Sequence, residues 1–115
     1  MSKTDYGTTD VEIGKKTYTL KFTLKAVRGI ERHFGGIQGA MQELFKVSLS
    51  SLALIIALAA GLDYKRKDLE ALEEAIFDEG LTRVNPQVIK YLSKLLNPSA
   101  KSDEELEEAE ASGNE

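Results

Sequence analysis

Nine consecutive residues, Leu52 to Ala60, carry no polar side chain. A helix built from them is apolar on every face and has to be covered on all sides, so the rest of the chain must wrap around it. The run is far short of the ~20 apolar residues that cross a bilayer. Ala and Leu dominate over Val and Thr, which favours a buried helix over a buried strand. Ser50 or Ser51 supplies an N-cap and Gly61 a C-terminal stop.

The flanking segments divide into one hairpin and several amphipathic helices. Val11-Glu12-Ile13 and Thr17 to Phe22 alternate around a turn at Gly14-Lys15, which predicts a β-hairpin with Val11, Ile13, Tyr18, Leu20 and Phe22 on one face. Two strands alone are marginal, so that face must lie on helices. Thr23 caps a helix over 24–34 whose stripe is Leu24, Val27, Ile30 and Phe34, with Gly35 as its stop. Ile37, Met41, Leu44 and Phe45 form a second stripe before the central helix. A fourth helix is expected over 68–78 with Leu69, Leu72 and Ile76 inward. A fifth begins with Asn85 as N-cap and Pro86 at its first position, its stripe being Val88, Ile89, Leu92, Leu95 and Leu96. The expected fold is therefore mainly α with a small N-terminal β-hairpin (α+β), about five short helices packed around a central apolar one. Residues 1–10 read as a flexible arm, 11–98 as a single globular domain and 99–115 as a disordered acidic tail.

Charge separates that tail from the body. The net charge of −4 arises from −6 over 99–115, with seven acidic residues and one Lys, and +2 over 1–98, with 12 acidic and 14 basic residues. Neither part has the dense basic patch of a nucleic-acid binder. The chain has no Cys, which excludes a disulfide framework, thiolate metal sites and a Cys nucleophile. Met1 to Asp5 has no apolar signal core, and a reducing cytoplasm is the expected setting.

Chemistry-bearing patterns are sparse. His33 is the one histidine, near a helix C-terminus that favours a surface position, so neither a zinc site nor a catalytic base is expected. Gly35-Gly36-Ile37-Gln38-Gly39 lacks the spacing of a nucleotide-binding loop and follows a helix, not a strand. Glu70, Glu73 and Glu74 read as a solvated helix face. No catalytic residue, metal site or cofactor is assigned. Lys65-Arg66-Lys67 stands just before a predicted helix N-terminus, where cations are unfavourable. An exposed loop accounts for it, and so does a site that receives an acidic partner or the chain's own tail. Leu62, Tyr64, Lys65, Arg66, Lys67 and Phe77 are the candidate partner-binding residues, a mixed apolar and basic edge where the central helix emerges. Tyr91 is ambiguous between core edge and contact surface.

The hairpin segment 11–24 runs directly into Lys-Ala-Val-Arg-Gly-Ile-Glu-Arg-His-Phe-Gly-Gly-Ile at 25–37, and an apolar helix ending Ala-Ala-Gly-Leu at 59–62 follows. Over about residues 11–96 this order resembles the tail assembly chaperones of long-tailed bacteriophages and related proteins of gene transfer agents. Its most specific part is Ile-Glu-Arg-His-Phe-Gly at 30–35. The resemblance implies a non-virion helper in the cytoplasm of the infected bacterium. Such a helper would bind the phage tape-measure protein, help to recruit tail-tube protein and self-associate as a homo-oligomer, with no nucleic acid or membrane among its partners. A structural adaptor or minor virion protein of a phage tail or connector is the alternative.

Overall fold

A computed structural model describes residues 7–97. It is an α+β fold in which an antiparallel hairpin is followed by five helices. The hairpin pairs β1 (Thr8–Ile13) with β2 (Lys16–Lys21), Val11 opposite Tyr18 and Ile13 opposite Lys16. Val11, Ile13 and Leu20 are buried, Tyr18 and Phe22 half-buried, and Glu12 and Thr17 exposed, the alternation that a sheet with one covered face requires. β1 takes in Thr8 to Asp10, which the polar composition had assigned to the arm. Pairing of Thr8 with Lys21 and Thr9 with Leu20 extends the ladder past the apolar residues. Residues 1–6 and the acidic segment 99–115 lie outside the described residues.

The helices are α1 (Leu24–Phe34), α2 (Ile37–Phe45), α3 (Leu49–Ala60), α4 (Arg66–Glu79) and α5 (Leu81–Leu95). The apolar run forms α3, which packs against β2 and against each of the four other helices. Leu52, Ala53, Ile55, Ile56, Ala57 and Ala59 are buried along it, and Gly61 closes it in the left-handed conformation. Its N-cap is Ser48 rather than Ser50 or Ser51. Ser48 Oγ accepts the Ser51 amide at 3.4 Å and donates to Ser51 Oγ, which in turn donates to Glu43 on α2 at 3.2 Å. The serines thus work together across the α2–α3 corner, with the hydroxyl of Ser51 inside the first turn instead of at its start.

Three amphipathic stripes shift from expectation. In α1 the buried positions are Ala26 and Ile30, and Leu24, the first helical residue, points out. Phe45 and Leu96, each closing its helix, are likewise exposed. Thr23 caps α1 as the sequence suggests, its Oγ1 accepting the Ala26 amide at 3.1 Å. Packing accounts for Gly39 better than any loop chemistry. A Cβ there would overlap the carbonyl oxygen of Phe34, so α2 passes the end of α1 at backbone contact.

The largest correction concerns α5. It starts at Leu81, five residues before Pro86, which therefore sits inside the helix. Asn85 is buried, only 7% exposed, and its Nδ2 donates to the Leu44 carbonyl at 2.7 Å. Its side chain serves a contact between helices, so it cannot cap. Pro86 is tolerated because it faces solvent, where water can satisfy the Thr82 carbonyl left without its usual helical donor. A single residue, Gly80, joins α4 to α5, and its φ of 111° and ψ of 117° suit glycine alone. Tyr91 resolves as core: it is fully buried, with its ring 5.1 Å from that of Phe22.

Candidate functional site

The exit of α3 leads along Leu62, Asp63 and Tyr64 into α4. This helix begins at Arg66, two residues earlier than the apolar stripe suggested. Lys65 is then the N-cap, and Arg66 and Lys67 lie in the first turn. Lysine offers no acceptor, so the first-turn amides have no side-chain cap. What fixes the start is the burial of Leu72 and Ile76 farther along, helped by Asp68 in the first turn and by the Arg66–Glu70 ion pair at 3.3 Å. That pair is largely exposed, so its contribution is small.

Leu62 and Tyr64 remain substantially exposed, and Lys65, Arg66 and Lys67 are exposed with them. Tyr64 is held in place by α1. Its ring meets His33 edge-on at 5.5 Å and 89°, and His33 Nδ1 donates to the Gly29 carbonyl at 2.9 Å. The only histidine thus props an aromatic residue at the candidate edge.

Beside this edge opens a groove of about 520 Å³ between β2 and α4, lined by Lys16, Tyr18, Leu62, Asp63, Asp68, Ala71, Leu72 and Ala75. It continues toward the hairpin turn as a second hollow of about 420 Å³ that shares Lys16, Tyr18 and Ala75. Small side chains make the room: Ala71 and Ala75 stand four apart on one face of α4, opposite the ring of Tyr18. Lys16 Nζ sits 6.0 Å from the centre of that ring. The far end is pinned by Glu79, whose Oε1 accepts the Gly14 amide at 2.8 Å.

Phe77 does not belong to this groove. It is 68% exposed but lies two residues, roughly 200° of helical rotation, from Ala75, and ~16 Å along the axis from Arg66. The structure therefore brings Leu62, Tyr64 and the cationic run together and leaves Phe77 on a different face of α4. The groove residues that sequence reading passed over are Tyr18, Lys16, Asp68, Ala71 and Ala75. Ala71 and Ala75, four apart on a charged helix, were the available signal.

A second, polar hollow on the other side of the hairpin is lined by Asp10, Glu12, Glu79, Arg83 and Gln87. Among the described residues no three His, Asp or Glu side chains are grouped to hold a metal ion. None of the described helices is long and apolar enough to cross a membrane. Comparison with protein-family models, with curated proteins and with solved structures finds no match to this chain.

Proposed function

We propose that this protein is a tail assembly chaperone of a long-tailed bacteriophage. In this reading it acts in the cytoplasm of the infected bacterium, binds helices of the tape-measure protein and helps to recruit tail-tube subunits. It stays out of the finished particle and self-associates weakly through the same surface until a partner arrives. The observation that carries the reading is the groove between β2 and α4, with exposed Leu62 in its lining and exposed Tyr64 two residues farther along the chain. A long groove with alanine and tyrosine walls and a charged rim suits the apolar stripe of a partner helix. The resemblance of residues 11–37 and 59–62 to the family supplies the kind of partner.

The test is binding of tape-measure segments by the purified full chain, followed by titration calorimetry, with Tyr64→Ala as the edge variant. Binding by the native chain, weakened in the variant, supports the chaperone. Absence of binding to every segment, with the protein a strict monomer at high concentration, removes it. Mass spectrometry of purified particles addresses the alternative, because a structural adaptor or minor virion protein would be present in fixed copy number.

A further inference from the structure

The run Lys65-Arg66-Lys67 is the only stretch of three consecutive cations in the chain, and the 99–115 segment holds most of its excess negative charge. We propose that segment 99–115 docks on this run within its own chain and there covers the exposed side chains of Leu62, which lines the groove, and Tyr64.

Three observations support it. The first is charge. Among the described residues Arg66 pairs with Glu70, whereas Lys65 and Lys67 form no ion pair. Lys16 adds a further cation on the opposite wall of the groove. Asp63 and Asp68 flank the run and oppose the approach, so the contact is weak and salt-sensitive. The second is the uncapped start of α4, whose first-turn amides have no side-chain acceptor and which a tail carboxylate could satisfy. The third is reach. Glu104 to Glu108 lie 7–11 residues beyond Asn97, ~25–40 Å of extended chain, a span comparable to the 46 × 37 × 29 Å extents of the structure. A tether of this length holds the two charges at an effective concentration on the order of millimolar, enough to populate a weak contact. Leu106, set between Glu104-Glu105 and Glu107-Glu108, gives the segment one large apolar side chain to lay against Leu62 and Tyr64.

A partner helix would have to displace this cover. That consequence rests on the reading of the edge as the partner contact, whereas the docking itself does not. The experiment therefore needs no partner. Amide spectra of the full chain are compared with those of full chains carrying E104Q, E105Q, E107Q and E108Q together. The expected result is a difference at Tyr64 to Asp68 at about 0.1 M salt that falls by more than half at about 1 M, where the Debye length is ~3 Å. Placing Lys65→Glu and Lys67→Glu in both backgrounds should abolish the difference. Identical spectra at these amides in low salt would overturn the proposal. So would a difference that grows with protein concentration, since the segment would then be reaching a second copy. Failure here leaves tape-measure binding untouched, and failure of that binding leaves this result standing.

Discussion

The hydroxyl of Tyr91 on α5 donates a hydrogen bond to the backbone carbonyl of Lys21 at the end of β2, with an O···O distance of 2.5 Å, and so ties the last helix to the hairpin. The ring is fully buried, and burial pushes the phenol well above its ordinary value. Ionisation is thus resisted in the folded state and free in the unfolded one. The unfolded chain begins to lose this proton near pH 10, so stability contributed by Tyr91 is intact below that pH and falls above it, by up to ~1.4 kcal/mol per pH unit. Tyr91→Phe is expected to cost about 1 kcal/mol at pH 7 from the lost hydrogen bond. It should also flatten the alkaline fall relative to the native chain. Urea midpoints of both proteins at pH 7 and pH 11 check the two statements, and a parallel alkaline fall would refute the second.

Gly39→Ala separates tertiary contact from helix propensity. On propensity alone the change, in the first turn of α2, stabilises by at most about 1 kcal/mol. Here the new methyl would overlap the Phe34 carbonyl, a backbone atom that cannot step aside without moving the end of α1. A loss of at least about 2 kcal/mol in denaturant unfolding is expected.

Val47 is the one described residue other than glycine with positive φ, at 58°, just after α2. A β-branched side chain is poorly suited to this conformation, which costs roughly 1–2 kcal/mol. Its amide and that of Ser48 close α2 by bonding to Leu44 and Glu43. Val47→Asn keeps those bonds and suits the left-handed region, so the melting temperature should rise, by a stabilisation of about 1 kcal/mol.

Ile55, Tyr64 and Phe77 divide scaffold from surface. Ile55 is fully buried in α3, so Ile55→Asp places an unpaired charge in the core and should abolish cooperative unfolding. Tyr64→Ala and Phe77→Ala should both retain native circular dichroism. Because Tyr64 follows directly on the groove-lining Leu62 and Asp63 while Phe77 stands on another face of α4, loss of Tyr64 should weaken tape-measure binding by about tenfold, ~1.4 kcal/mol, and the loss of Phe77 by clearly less. Equal binding by the two variants and the native chain would sink the choice of surface.

Much of the fold could be read from residue pattern, because most local signals agree with the final packing. The apolar run Leu52–Ala60 demanded a central helix, and Thr23, Gly35 and Gly61 act where their chemistry placed them. Two of the misreadings share one cause. Asn85 and Pro86 look like a helix start in sequence, yet Asn85 spends its amide on Leu44, 41 positions away. Ser51 is likewise drawn to Glu43 rather than to a cap position of its own. Of the candidate edge, Leu62 to Lys67 is contiguous and was legible. The groove beside it was not, because its opposite wall, Lys16 and Tyr18, comes from the hairpin nearly fifty residues earlier.

The position of the hairpin has a consequence for how the molecule is made. β1 packs on α5, and the hairpin turn is held by Glu79, so strands made early are completed by a helix made roughly seventy residues later. A nascent chain can lay β2 on α3 once residues near 60 emerge, but the contacts of β1 with α5 must wait until residues near 90 do, several seconds at ordinary elongation rates of about 5–20 residues per second. Stalling or premature termination before α5 would release a sheet without its closing element, and quality control by proteases should fall hardest on that product.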